Sequence, residues 1–250
     1  MYMRVLALAH GLGLGGAQVV TLEFFELMRS RVELKVLTCE GANRKFLDAL
    51  GAMSKETYRV PCRRSSGYPI LAIEQARKLV EWADAVWITD IEYSVAPRIK
   101  RIKNVPIVAH IHTYALVCPW WLAMYGLRQV CAARCSVWRI VGCKQGINRE
   151  LARVGLLDGV RAGAYWLLDF GKGPLDYFRW KKIRSVVDSV DVFVAVSNAT
   201  RDVVGSHLPE VRDRVEVVYN PVAHRPWRYV SFLPERRDNY IFYTYCSNQS

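Results

Sequence analysis

The sequence has no run of about 20 uncharged apolar residues, so no segment reads as a membrane-spanning helix. Its N-terminus, MYMRVLALAH, carries one Arg and a short apolar run, which fits a buried strand and not a secretory leader. Seven cysteines in 250 residues are too few and too unevenly placed for a disulfide scaffold, so a reducing, cytoplasmic compartment is the expectation. Acidic residues are in the minority, 23 against 35 basic ones, for a formal charge of +12. What is abundant is core material: 52% apolar residues with eight Trp and thirteen Tyr, which excludes general disorder.

The excess charge is localised. Residues 126–184 hold 12 basic and 4 acidic groups, whereas 185–250 hold 7 and 8. Trp138, Tyr165, Trp166, Phe170, Tyr177, Phe178 and Trp180 lie in the same basic segment. Such a field favours an anionic partner: a membrane surface, a phosphorylated substrate or nucleic acid. Nucleic acid is the least favoured, because the aromatics form no recognisable single-strand-binding pattern. Trp138 and Trp166, taken singly, are expected in the core.

Apolar runs alternate with helical periodicity. Strands are expected at Met3–Ala9, Val32–Thr38, Thr57–Pro61, Ala85–Thr89, Val105–His112, Asp191–Ser197 and Val215–Tyr219. Helices are expected at Ala17–Arg29, Glu40–Leu50, from Pro69 to Ala83, from about Ser94, and from Ser197 to His207. This rhythm implies parallel βαβ crossovers in a doubly wound, mostly parallel, Rossmann-like α/β sheet over residues 1–222. Residues 113–185 break it as a helical, irregular insert containing cysteines. Residues 223–250 read as a Pro- and Arg-rich linker followed by one strand, Tyr240–Tyr245, too little for a domain.

The loop His10-Gly11-Leu12-Gly13-Leu14-Gly15-Gly16 joins the first strand to the first helix. Glycines there permit close backbone approach to a ligand, and free N–H groups at a helix start suit a phosphate. Gly11, Gly13 and Gly16 satisfy G-x-G-x-x-G, so an NAD(P)-dependent oxidoreductase is one reading, although the acidic Glu40 follows its strand late. A basic module binding membrane or nucleic acid is another.

Three blocks point elsewhere. Gly15-Gly16-Ala17-Gln18 before an amphipathic helix, the strand Val105-Pro106-Ile107-Val108-Ala109-His110-Ile111-His112, and Asp191–Ser197 followed by Val215–Val222 occur in that order. Together they resemble the acceptor-side domain of family-4 glycosyltransferases with the GT-B fold. The chain departs from the family pattern at Asn198, where an acidic residue is usual, and at Pro221, Val222 and Ala223 in place of Gly and Asp.

The resemblance implies transfer of a sugar from a nucleotide-sugar donor to the hydroxyl of a carbohydrate or lipid-linked acceptor, with retention. It implies that a C-terminal domain holds the donor, and that this domain is missing from a chain that stops at Ser250. This chain alone is expected to be inactive. Fixed N–H dipoles and cations can stabilise the departing diphosphate, so no catalytic cofactor is expected. His112, at the C-terminal end of a central strand, is the catalytic candidate. Gly15, Gly16, Gln18, Ser197, Asn198 and Asn220 are substrate-binding candidates, with capping the simpler role for Ser197. The resemblance also implies that two domains face each other across a cleft; His110 is assigned to the opposite face of its strand, leaving one histidine for that cleft. Asp90-Ile91-Glu92 reads as a surface loop.

Four cysteines follow His112: Cys118, Cys131, Cys135 and Cys143, with 12, 3 and 7 residues between them. Four thiolates can make a tetrahedral structural zinc site; without paired C-x-x-C knuckles, buried thiols are the alternative. Some members of the family carry a Cys-rich insert at this place that begins Cys-Pro, as in Cys118-Pro119. A protein on the inner face of a membrane, held peripherally by the basic segment, completes the expectation.

Overall fold

The computed structural model describes residues 2–221, apart from 10, 12–14, 54–55, 66–67, 90–91, 120–122, 132–134, 156–172, 179, 183 and 185. The expectations for 223–250, and for Tyr165, Trp166, Phe170 and Asp90-Ile91, lie outside the described residues. The first compact unit spans Met1–Asn220.

Seven strands form the main sheet: β1 Met3–Leu8, β2 Val32–Cys39, β3 Glu56–Val60, β6 Ala85–Ile88, β7 Ile107–Ile111, β10 Val192–Ala195 and β11 Val215–Val217. Their order is β11-β10-β7-β6-β1-β2-β3, and all six pairings are parallel. Two small antiparallel ribbons lie outside it, β4 Cys62–Ser65 with β5 Tyr68–Leu71, and β8 Met124–Tyr125 with β9 Gln129–Val130. The helices are α1 Gly16–Met28, α2 Arg44–Met53, α3 Arg77–Trp82, α4 Ala96–Ile102, α5 Val137–Arg153 and α6 Asn198–His207.

Both faces of the inner strands are covered, which is why those strands read as nearly unbroken apolar runs, whereas the edge strand β3 is largely exposed. Val5, Ala7, Val36 and Trp87 face α1 and α2, packing on Leu22, Phe25, Phe46 and Leu50. Leu6, Leu8, Val86, Ile88, Ile107 and Ile111 point the other way, toward Val80 of α3 and Ile99 of α4. The single charge in the first strand is accounted for: Arg4 donates from Nε, Nη2 and its backbone N–H to the Asp84 carboxylate.

Chain order reverses around β1, which has β2 on one side and β6 on the other. Ligands of open α/β sheets bind at such a switch point, beyond the C-terminal ends of the strands. Ala9, Thr89, His112, Ser197 and Val218 follow the ends of β1, β6, β7, β10 and β11 and so line that edge.

Three expectations are corrected. Pro69 does not open a helix; it pairs with Arg64 inside the β4–β5 ribbon, and helical structure starts at Ile73. Proline is tolerated in such an outlying strand, where its missing N–H breaks no central ladder. Trp138 is not core but 76% exposed on α5. Cys39 and Cys62 are joined as a disulfide, their Cα atoms 5.4 Å apart, where none was expected. The end of β2 and the start of β4 bring them together.

Candidate functional site

His112 is half-buried just past β7, the strand lying between β6 and β10. Its neighbour two residues back is not on the far side of the sheet. Strand side chains alternate with period two, so Val108, His110 and His112 share the face that α1 covers. The rings of His110 and His112 lie 4.1 Å apart at 36°. The assignment of His110 to the opposite face is therefore wrong.

His110 is 1% exposed. Phe24 of α1 meets it edge-on at 5.1 Å and Trp87 of β6 stacks at 6.0 Å. Its carbonyl accepts a hydrogen bond from buried Tyr93 Oη at 3.0 Å, and its Nε2 has no hydrogen-bond partner among the described residues. Burial, and secondly the neighbouring His112, push its pKa down to about 3, so the ring is neutral at any ordinary pH.

The glycine loop divides into two parts with different jobs. Gly11 has φ +62, and a Cβ there would overlap the Phe46 ring of α2. Its carbonyl accepts from Asn43 N–H at 2.7 Å. Its close approach is thus to α2, which gives that glycine a packing reason and removes it as support for a dinucleotide grip. Gly15 and Gly16 begin α1. Gly15 N–H donates to Gln18 Oε1 at 3.0 Å, so Gln18 caps its own helix, and a Cβ on Gly16 would meet nothing among the described residues within 4 Å. The helix start is open at Gly16, with orphan N–H groups and the positive end of the helix dipole.

Ser197 is a cap: its Oγ accepts from Thr200 N–H at 3.1 Å and lies 3.0 Å from Thr200 Oγ1. Asn198 Nδ2 donates to Tyr219 Oη at 3.0 Å, and exposed Asn220 is next in the chain. The structure thus brings Asn198 and the Tyr219–Asn220 end of β11 together, His112 and His110 together, and Gly15 and Gln18 together. All three groups are at the C-terminal edge of the parallel sheet. Tyr219 and His110 escaped sequence reasoning. The second was legible, since residues two apart in a strand share a face.

The four later cysteines form no disulfide among themselves. Cys118, Cys131 and Cys143 are buried and Cys135 is half-buried. Cys143 sits under the β8–β9 turn, with Gly126 N–H donating to its Sγ at 3.4 Å and the Met124 carbonyl 3.5 Å away. Cys131 N–H donates to the Ala123 carbonyl at the other side of the same ribbon, and Arg139 Nη2 is 4.0 Å from Cys131 Sγ. Burial first, then Cys118, Cys131 and Cys143, push the Cys135 thiol up to about 12. Among the described residues, no three His, Cys, Asp or Glu side chains are grouped closely enough to hold a metal ion as they stand. No described helix is long and apolar enough to cross a membrane.

One solved structure shares this architecture, and others match at lower TM-scores. A UDP-glucosyltransferase from Polygonum tinctorium matches with a TM-score of 0.51 at 11% identity, over 88% of this chain and 52% of its own. HepE from Anabaena, solved in complex with UDP, matches with a TM-score of 0.49 at 13% identity, over 88% of this chain and 44% of its own. MurG from Acinetobacter baumannii matches at 0.32 and 12% identity, over 90% of this chain and 80% of its own. The chain spans about half the length of the first two. No curated protein matches. Residues 14–225 match the family described as Glycosyltransferase Family 4, and with that match covering most of its length the chain belongs to that family.

Proposed function

We propose that this chain is the acceptor-side half of a retaining, metal-independent glycosyltransferase that moves a sugar from a nucleoside diphosphate to an acceptor hydroxyl. The observation that carries the reading is the position of His112, at the C-terminal end of an interior strand and on the face that α1 covers. Charge develops on the departing diphosphate, and the open N–H groups at Gly16 are dipoles that can meet it without reorganising. His112 hydrogen-bonds the transferred sugar or the attacking hydroxyl. Asn198 and Asn220 orient polar groups of the acceptor, with Tyr219 holding Asn198. Gln18 and Ser197 act through the helix starts they cap. A second domain supplies most of the donor contacts, so residues 1–250 alone bind a sugar nucleotide weakly and turn none over.

The test is a transfer assay with the natural full-length gene product, using UDP- and GDP-sugars against carbohydrate and lipid-linked acceptors. Transfer that persists in EDTA and falls roughly 10²-fold or more in His112→Ala supports the reading. Transfer indifferent to that substitution removes His112 from the site.

A structural zinc on Cys118, Cys131, Cys135 and Cys143 is part of the same proposal. Its support is that Cys118, Cys131 and Cys143 add to the cost of ionising the buried Cys135 thiol, and a divalent cation reverses such a penalty. Binding would have to draw the thiols together. Elemental analysis of protein purified without added metal should find one zinc per chain; metal-free protein with four titratable thiols in this cluster ends the idea.

A further inference from the structure

We propose that His110 is a positioning residue for His112: a ring that stays neutral, on which the His112 ring lies, so that the pair takes up one proton and takes it up on His112. The proposal rests on the reading that His112 serves the cleft.

Three observations carry it. The first is geometric. The rings are in close, tilted contact, 4.1 Å between centroids at 36°, and two imidazolium cations that close repel strongly in a poorly solvated site. The pair therefore holds one proton, not two. The second is asymmetric burial. His110 is enclosed at 1% exposure between Phe24 of α1 and Trp87 of β6, whereas His112 is half-buried at the sheet edge. Desolvation assigns the neutral state to His110, and among the described residues the one titratable group acting on it is His112. The third is the clamp. Phe24 meets the ring edge-on from α1, Trp87 stacks beside it, and Tyr93 Oη fixes the His110 carbonyl. His110 is thereby tied to the helix that begins at Gly16, so the plane offered to His112 is set by the same element that presents the open helix start.

The consequence is chemical. A neutral floor leaves the charge of His112 to be decided by what enters the cleft. A charged floor would oppose protonation of His112 whatever was bound.

The test is a side-chain ¹⁵N spectrum of the 250-residue chain labelled on its five histidines, titrated from about pH 5 to 8. Single His→Gln variants assign the signals. The expected result is one titration within the pair, at His112, with His110 in a neutral pattern throughout and still neutral in His112→Gln. Titration of His110 in that window, or two steps shared by the pair, overturns the proposal. Positioning is read from variants: His110→Phe keeps a ring in place and should leave the His112 shifts and midpoint as in the parent chain, while His110→Ala should move both toward those of an exposed histidine. An Ala variant with native amide shifts and an unaltered His112 would overturn the positioning role. If Ala does not fold, the parent titration and the Phe variant still decide. None of these readouts needs sugar transfer, so failure here and failure of the proposed activity are separate outcomes.

Discussion

Arg4 and Asp84 clasp the N-terminal ends of β1 and β6. Arg4 Nη2 donates to Asp84 Oδ1 at 2.7 Å, and Arg4 Nε and backbone N–H donate to Oδ2 at 3.1 and 3.0 Å. β1 and β6 flank the switch point at their other ends, so this clasp sets the register from which the C-terminal edge is built.

The pair makes stability depend on acidity. Hydrogen bonds from Arg4 hold the Asp84 carboxyl down at about 2, against an ordinary value of 3.8. Because the folded pKa is the lower one, its contribution is complete above the ordinary value and is lost as pH falls from there through about 2. Asp84→Asn should lower the melting temperature at pH 7 and flatten its fall between those two values. A variant melting curve parallel to the parent throughout that window would show that the clasp is not coupled to folding.

Gly11 combines a positive φ of 62° with a ring where a side chain would go. Gly11→Ala should cost about 2 kcal/mol or more, from backbone strain together with overpacking against Phe46. Gly16→Ala, with nothing among the described residues within 4 Å of its Cβ, should cost little. Urea denaturation of the two variants checks the contrast, and equal losses would mean that the two glycines do the same job.

How much of this was legible differs by element. Met3–Ala9, Val105–His112 and Asp191–Ser197 are nearly unbroken apolar runs because both faces of these inner strands are covered, and each lies within two residues of an observed strand. Pro69 misled because a proline suits a helix start and an outlying strand equally well, and only the pairing with Arg64 decides between them. The Cys39–Cys62 contact depends on where two strand ends meet, which spacing along the chain does not encode. Trp138 has the composition of a core residue, but α5 turns it outward. At the candidate site, the positions of His112 and the helix starts, and the face His110 shares with His112, were legible, while the packing of Phe24 and Trp87 on His110 and the Asn198–Tyr219 bond needed tertiary structure.

The exposed Trp138 on α5, and exposed Leu175 and Phe178, close in sequence to exposed Lys181 and Lys182, would give the basic segment a physical route to an anionic surface. Each basic group near such a surface contributes on the order of 1 kcal/mol, weakened by salt. Co-sedimentation with anionic vesicles should exceed that with neutral ones. It should fall with added salt, with Trp138→Ala, and with Lys181→Glu combined with Lys182→Glu. Indifference to lipid charge would leave residues 126–184 as a solvated basic face.

Where a ligand lands on the isolated chain tests the account most directly. In an amide-resolved NMR titration with UDP-glucose, GDP-mannose and, separately, NAD, the sugar nucleotides should bind at about 1 mM or weaker. Their shifts should be confined to Gly15–Gln18 and His112–Thr113, with NAD producing no tighter binding. Micromolar binding of a sugar nucleotide would contradict the acceptor-side assignment, and micromolar NAD centred on Gly11–Gly16 would return the glycine loop to its dinucleotide reading.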